Sequence, residues 1–114
     1  MNTEDQTPVV VAGANGKMGR ETIQAVLQQV DLRLAAAIGH TRGLGEDVGL
    51  AAQGEPCGIV LTDNIEEAMQ AASGGVLVDF TLGPAVKDTV LAAMRHNIAC
   101  VVGTTSIPAS DLAE

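Results

Sequence analysis

Aromatic residues are almost absent from this chain of 114 residues, because Phe80 is its single aromatic side chain and it contains neither Trp nor Tyr. Since 46% of the residues are hydrophobic, a core must be built from aliphatic side chains and methionine. Cores of this kind suit helices packed on a parallel sheet. The length fits one domain, which at this size buries roughly two thirds of the surface that the unfolded chain exposes.

Basic residues are also few. Six Lys and Arg oppose fourteen Asp and Glu, which gives a formal net charge of −8. Nucleic acids and anionic membranes are disfavoured as partners, because both need Lys and Arg to neutralise phosphate. A dinucleotide is not excluded, since backbone N–H groups at the start of a helix hold a few phosphates without a net positive charge.

Cysteine pairs and long apolar runs are missing as well. Cys57 and Cys100 form no CxxC motif, which favours reduced thiols without a catalytic role. No apolar run approaches the ~18 residues of a membrane span, and the polar, acidic N-terminus lacks the pattern of a signal peptide. We therefore expect a soluble, cytoplasmic protein. No metal-ligand spacing, Ser/His/Asp set or carboxylate pair is recognisable, so we predict neither a metal site nor a catalytic residue.

What the sequence does contain is an alternation of short apolar runs with helical patterns. The runs that predict strands are residues 9–12, 34–38, 76–80 and 98–102, and a further short apolar stretch covers residues 58–61. The patterns that predict helices cover residues 16–30, 63–73 and 84–96. Closely spaced glycines between residues 39 and 54 predict a long loop without regular structure. This order is typical of an α/β, Rossmann-type doubly wound parallel sheet built from βαβ units, with ligands at the carboxyl ends of the strands.

Each predicted helix has an apolar face and a recognisable end. The inward positions are predicted to be Gly19, Ile23, Val26 and Val30, then Ile65, Ala68, Met69 and Ala72, then Val86, Val90, Ala93 and Met94. Asp63 with Glu66 resembles a capping box at the start of the second helix. Asn97 is expected to stop the third.

The turn between the first strand and the first helix reads GANGKMG, from Gly13 to Gly19. Gly13 permits a tight exit from the strand, Gly16 lets a phosphate approach the backbone, and Gly19 lets helix and strand pack closely. Asn15 tolerates the left-handed backbone region, and Lys17 can reach a phosphate or stay solvated. A glycine turn in this strand–helix context predicts a binding site for the pyrophosphate of NAD(H) or NADP(H).

The end of the second strand bears on the choice of cofactor. NAD-preferring Rossmann domains place Asp or Glu there to bind the ribose hydroxyls, whereas this chain reads Gly39, His40, Thr41 and Arg42. With no carboxylate to repel a 2′-phosphate and three potential donors, the sequence favours NADP(H) over NAD(H).

Two more strand ends fall at the same edge, followed by Phe80 and Thr81 and by Gly103, Thr104 and Thr105. Phe80 fits either a cofactor ring or the core. The two threonines fit either a bound amide or carboxylate or a helix cap.

Three segments, VVVAGANGKMGRE, VDFT and VVGTT, closely resemble in order and separation the N-terminal domain of the 4-hydroxy-tetrahydrodipicolinate reductase (dihydrodipicolinate reductase) family. The resemblance implies a homotetrameric reductase of the diaminopimelate route to lysine, transferring hydride from NADH or NADPH to the dipicolinate precursor. By position, it implies cofactor contacts at Gly13, Ala14, Asn15, Gly16, Lys17, Met18, Phe80, Thr81, Gly103, Thr104 and Thr105. Thr105 is also implied to lie near the substrate carboxylate.

This chain departs from the family pattern in two respects, and both limit what the resemblance implies for its function. Many members carry a Glu-Arg pair where this chain aligns Gly39 and His40, which changes the adenosine end of the site. Members also continue into a second domain with the catalytic histidines, a substrate-binding lysine and the tetramer sheet. We therefore expect residues 1–114 to form the dinucleotide-binding domain alone, able to bind cofactor without turnover and to self-associate through exposed sheet edges. A non-catalytic nucleotide-sensing or CoA-binding Rossmann module stays the alternative.

Overall fold

The computed structural model describes residues 6–40, 42–81 and 84–102, with residues 84–86 described by their backbone. Within these ranges strands and helices alternate along the chain. The elements are β1 (Thr7–Ala12), α1 (Lys17–Leu27), β2 (Leu32–Ile38), α2 (Val48–Gln53), β3 (Leu61–Thr62), α3 (Ile65–Ala71), β4 (Val76–Asp79), α4 (Pro84–Arg95) and β5 (Ala99–Val102).

The five strands form one parallel sheet in the order β3-β2-β1-β4-β5. This order, with the first strand at the centre, is that of a Rossmann-type doubly wound fold, so the predicted fold class is confirmed. Ala12 at the end of β1 lies in register with Ile38 of β2 and with Asp79 of β4. The loops that leave these three strands therefore start side by side at one edge of the sheet.

β1 is buried on both faces because helices cover both sides of the sheet. Val10 and Ala12 belong to a core cluster with Met69 of α3 and Ala93 of α4. Val9 and Val11 belong to the opposite cluster, with Ile23 of α1 among its members. Burying a side chain of this size stabilises the fold by about 1.5–3 kcal/mol. A continuous apolar run, rather than an alternating one, is what such a central parallel strand requires.

The prediction that residues 39–54 contain no regular element is wrong, because α2 forms within them. Two glycines of this segment, Gly49 and Gly54, take part in the hydrogen bonds at the two ends of α2. Gly54 adopts a left-handed φ of 78° at the C-cap and donates to the Leu50 carbonyl, as C-terminal glycines commonly do. At the other end the Asp47 carboxylate caps the helix by accepting the N–H of Gly49 over 2.7 Å. Glycine spacing alone does not distinguish a capped short helix from a loop.

Asp47 also fastens α2 to the segment before β3. Its carboxylate accepts the N–H of Cys57 over 2.9 Å and that of Gly58 over 2.7 Å. The bond from Cys57, helped by those from Gly58 and Gly49 and opposed by burial, lowers the pKa of Asp47 from 3.8 to about 2. Three backbone donors thus converge on one carboxylate, which links the start of α2 to the segment before β3.

Two helix ends differ from the sequence prediction. α1 ends at Leu27, after which Gln28 and Gln29 donate to Ala25 and Val26 in a tighter turn. Val30 therefore leaves the helix and is 71% exposed. The N-cap of α3 is Asn64 rather than Asp63, because the Asn64 side chain accepts the N–H of Glu67 over 3.0 Å. Asn97 adopts a φ of 58° just after α4, as expected of a residue that stops a helix.

The buried face of α4 is rotated from the predicted one. Thr89, Ala92 and Ala93 are buried, whereas Val90 is half-buried and Met94 is 65% exposed. The Val86 side chain lies outside the described residues. Small side chains allow the helix to approach the sheet closely. The prediction is confirmed for Ala93 and wrong for Met94. None of the helices in the described ranges is long and apolar enough to cross a membrane.

Candidate functional site

The glycine turn between β1 and α1 is fixed by backbone hydrogen bonds. The N–H groups of Gly13 and Ala14 both donate to the Ile38 carbonyl, over 3.0 and 3.1 Å, and that of Gly16 donates to the Gly13 carbonyl over 3.2 Å. Gly13 has a φ of +72°, and a Cβ there would lie 2.9 Å from the carbonyl carbon of Phe80. The tight exit from β1 therefore requires glycine, as the sequence predicts.

Gly19 and Gly16 differ in how much room the surrounding atoms leave for a side chain. A Cβ on Gly19 would lie 2.3 Å from the Gly13 carbonyl oxygen and 2.7 Å from the Ala14 Cα, so only glycine lets α1 pack on the turn. A Cβ on Gly16 would touch Gly13 oxygen at 3.6 Å, which is ordinary contact. The chain itself thus has room for a side chain at Gly16, and the space beside that residue stays open.

Gly16 is also the N-cap of α1, and no side chain caps this helix end. The first N–H groups of a helix have no partner within the helix and carry its positive end. Lys17 and Met18 begin α1 and are exposed, whereas Ala14 is buried in the turn. An anion bound next to Gly16 would meet these N–H groups directly.

A cavity of about 370 Å³ opens at this edge of the sheet. The loops after β1, β2 and β4 supply its described lining, which is Gly13, Asn15, Gly16, Gly39, His40, Arg42, Phe80 and Thr81. Seven of these eight were predicted as cofactor-binding residues from the sequence, and Arg42 was named there as a donor. Ala14, Lys17 and Met18 are not part of the lining. Residues 41, 82–83 and 103–114, among them Gly103, Thr104 and Thr105, lie outside the described residues.

Arg42 gives this cavity a positive side chain in an acidic protein, and His40 lies beside it in the lining. Both side chains are exposed, and they follow β2 where nucleotide-binding sheets place the adenosine ribose. The described lining contains no Asp or Glu. A guanidinium without a carboxylate in the same lining suits a ligand that carries phosphate groups.

Asn15 does not adopt the backbone conformation predicted for it. Among the described residues other than glycine, only Asn97 has a positive φ, so the left-handed interpretation of Asn15 is wrong. Its side chain instead donates to the Arg42 carbonyl oxygen over 2.9 Å. The turn after β1 and the loop after β2 are therefore linked, a contact across 27 residues that no local sequence pattern signals.

The strand end at Asp79 positions two lining residues. Oδ1 of the fully buried Asp79 accepts the N–H of Thr81 over 2.8 Å and also the Thr81 hydroxyl. Its Oδ2 is buried with no hydrogen-bond partner in the described part of the chain. Phe80 is half-buried and packs against the α1-side core cluster while lining the cavity. The interpretation of Phe80 as a core residue is supported by this packing, and its contact with a cofactor ring stays a prediction.

The histidine–carboxylate contact and the two thiols of the described residues lie outside the cavity lining. His96 and Arg95, at the end of α4, both contact the Glu66 carboxylate of α3 and lower the pKa of Glu66, with His96 at 2.9 Å. Cys57 and Cys100 are half-buried and free, and burial raises the pKa of both thiols, which leaves them protonated and weakly nucleophilic. No three His, Cys, Asp or Glu side chains are grouped to hold a metal ion in the described ranges.

Comparison with known proteins identifies the chain's relatives. A family model described as dihydrodipicolinate reductase, N-terminus, matches residues 7–114. A 4-hydroxy-tetrahydrodipicolinate reductase of Mastigocladus laminosus is 39% identical over 98% of this chain and 43% of that protein. One of a Synechococcus species is 44% identical over 96% of this chain and 42% of that protein. The chain thus spans about two fifths of the length of these curated relatives.

Solved structures show the same fold. A dipicolinate-bound dihydrodipicolinate reductase from a Paenisporosarcina species superposes with a TM-score of 0.70 at 23% identity, over 95% of this chain and 41% of that one. An aspartate semialdehyde dehydrogenase from Candida albicans, solved with NADP, gives a TM-score of 0.69 at 18% identity, over 88% of this chain and 30% of that one.

Proposed function

This chain belongs to the dihydrodipicolinate reductase N-terminus family, and on that premise we propose that it is the cofactor-binding part of a 4-hydroxy-tetrahydrodipicolinate reductase that prefers NADP(H) to NAD(H). The observation that carries the proposal is the cavity at the ends of β1, β2 and β4, with a glycine turn on one side and Arg42 on the other. The reaction is the reductive step that its longer relatives are named for, in lysine biosynthesis through diaminopimelate.

The pyrophosphate is assigned to the start of α1. Gly16 leaves room there, since among the described residues other than its chain neighbours a Cβ would meet no atom closer than 3.6 Å. The uncapped N–H groups of the first helical turn supply donors and a partial positive charge. Ala14 shapes the turn from beneath, and Lys17 and Met18 flank the phosphates from the surface of α1.

The adenosine end is assigned to Gly39, His40 and Arg42. Gly39 donates its N–H to the Thr62 carbonyl over 2.9 Å, which holds the start of this loop against β3. The Arg42 guanidinium is permanently charged and suited to a phosphate monoester. The absence of Asp and Glu from the described lining removes the group that would select an unphosphorylated ribose.

The nicotinamide end is assigned to Phe80 and Thr81, together with Gly103, Thr104 and Thr105. A bound nicotinamide supplies the hydride for reduction of the substrate ring. The residues of this chain hold and orient that ring, with Phe80 as an apolar wall and Thr105 near the substrate carboxylate. No described residue is placed to move a proton, so we propose that the chain binds cofactor and that turnover requires groups outside it. Its cytoplasmic location and homo-oligomeric state stay predictions.

Calorimetric titration of the purified chain with NADPH and with NADH tests the proposal. We expect saturable binding of both and tighter binding of NADPH. Arg42→Ala should remove the difference, because a charge-assisted hydrogen bond contributes about 1.5–3 kcal/mol, roughly 10- to 100-fold in affinity. Arg33→Ala is the matched control, since it removes the same charge from the opposite end of β2.

Other outcomes would contradict the proposal. No binding of either nucleotide would refute the site assignment for this chain. Equal affinities in the unchanged chain would refute the NADP(H) preference. Tighter binding of coenzyme A than of either nucleotide would favour the CoA-binding module instead, and a measurable reductase rate from the chain alone would refute the claim that turnover requires more.

A further inference from the structure

The Asn15 side chain joins the two halves of the cavity. Its amide nitrogen donates to the Arg42 carbonyl oxygen over 2.9 Å. A Cβ built on the next residue, Gly43, would lie 3.4 Å from the Asn15 amide oxygen. The phosphate-side turn and the loop after β2 thus touch at one asparagine.

Neither the backbone nor burial accounts for an asparagine at this position. Asn15 has no positive φ, so its conformation is open to other residues. Its side chain is exposed, so water can satisfy its amide and no buried polar group demands a partner. What asparagine provides here is a short, rigid donor aimed at the neighbouring loop.

The Asn15 donor contacts the loop after β2 between two backbone hydrogen bonds that hold this loop. The loop is anchored at its start by the N–H of Gly39, which donates to the Thr62 carbonyl, and further on by that of Gly45, which donates to Leu61 over 2.8 Å. Arg42 lies between these anchors, and Asn15 holds its carbonyl. The backbone of Arg42, a residue that lines the cavity, is therefore held at a set position relative to the turn between β1 and α1.

We infer that Asn15 is a positioning residue that sets the cofactor preference by fixing Arg42 at the distance from the turn that separates a pyrophosphate from a ribose 2′-phosphate. The inference rests on the proposed function and concerns its specificity. NADH has no 2′-phosphate, so it gains nothing from this arrangement. Loss of the link should weaken NADPH binding more than NADH binding.

The test compares three variants of the chain by calorimetric titration. Asn15→Leu keeps the size of the side chain without its donor, and Asn15→Gln keeps a primary amide. The same Leu substitution at Asn64 is the control, because the side chain of that exposed residue also makes one hydrogen bond to the backbone and is not part of the cavity lining. For Asn15→Leu we expect NADPH affinity to fall about three- to tenfold, the loss expected for one neutral hydrogen bond. NADPH affinity should fall by a larger factor than NADH affinity, Asn15→Gln should recover part of the preference, and Asn64→Leu should keep all of it.

Asn15 also lines the cavity, so a direct contact with the nucleotide is the competing explanation. A double-mutant cycle with Arg42→Ala separates the two. If Asn15 acts through Arg42, Asn15→Leu has no further effect on the preference once Arg42 is alanine. Additive losses, or an equal loss for NADH and NADPH, would overturn the inference in favour of direct contact.

The same titrations distinguish the inference from the proposed function. An unchanged preference in Asn15→Leu, alongside a clear NADPH preference in the unchanged chain, refutes the positioning role and leaves the function standing. If the unchanged chain does not prefer NADPH, the function and the inference fail together.

Discussion

Replacing Gly16 by Ala adds one methyl group to the turn between β1 and α1, and the structure predicts that nucleotide binding is lost while the fold is kept. Gly16 has φ −85° and ψ 174°, which any L-residue adopts. The added Cβ would meet the Gly13 carbonyl oxygen at 3.6 Å and, apart from its two chain neighbours, no other atom of the described residues within 4 Å. The methyl group therefore enters the cavity rather than the core.

Gly16→Ala is expected to change the stability of the fold little and the affinity for nucleotide more. Alanine at an N-cap is less favourable than glycine by less than about 1 kcal/mol, so stability changes little. Binding changes more, because the methyl group occupies the path by which a pyrophosphate approaches the first N–H groups of α1. Overpacking of this kind typically destabilises by about 1–3 kcal/mol, which corresponds to affinity roughly 10- to 100-fold weaker.

Gly19→Ala is the matched control, since it adds the same methyl group three residues later. Its Cβ would lie 2.3 Å from the Gly13 oxygen and 2.7 Å from the Ala14 Cα. Both are backbone atoms, so the helix must move away from the turn. We expect this variant to lose about 1–3 kcal/mol of stability or more, with each kcal/mol lowering the melting temperature by roughly 4–8 °C in a domain of about 100 residues.

Thermal melting followed by circular dichroism, paired with calorimetric titration of NADPH, separates the two effects. Gly16→Ala should melt near the unchanged chain and bind poorly, whereas Gly19→Ala should melt early. Binding of NADPH by Gly16→Ala at full affinity would refute the placement of the pyrophosphate. Equal destabilisation by the two variants would refute the geometry on which the contrast rests.

Two further predictions concern carboxylates. Since the pKa of Asp47 is lowered from 3.8 to about 2, its stabilising effect is complete above pH 4 and is lost as the pH falls towards 2. The difference in urea midpoint between the unchanged chain and Asp47→Asn should shrink over that interval, and a constant difference would contradict the assignment. Asp79→Asn keeps the acceptor for both bonds from Thr81 and should cost less than about 1 kcal/mol, whereas Asp79→Ala should cost about 2–4 kcal/mol in urea unfolding. Equal losses of stability in Asp79→Asn and Asp79→Ala would contradict this prediction. They would indicate that Oδ2, which has no hydrogen-bond partner among the described residues, contributes to stability.

The fold was predictable because its signals are local. A β-branched run closed by glycine, followed by a helical period, identifies β1 and α1 without knowledge of anything distant. The errors occur where distant contacts decide. α2 depends on the bonds that Asp47 makes with Cys57 and Gly58, and the buried face of α4 depends on how closely that helix approaches the sheet.

The candidate site was predictable to a similar degree and for a related reason. Parallel strands end at one edge, so the residues after β1, β2 and β4 could be grouped before any geometry was known. The Asn15–Arg42 link could not be predicted, because it joins two loops across 27 residues. The buried Asp79 carboxylate likewise shows its role only through its bonds to Thr81.

The central place of β1 has a consequence for how the chain folds. β1 pairs with β2, the next strand along the chain, and with β4, which comes much later in the chain. The cavity needs both pairings, because Gly13 follows β1 whereas Phe80 and Thr81 follow β4. A nucleotide that binds there recognises only the chain with β4 already docked, and at 100 times its Kd it stabilises that state by about 2.7 kcal/mol. The concentration of nucleotide in a cell would then influence the fraction of the chain that is folded as well as the fraction that has nucleotide bound.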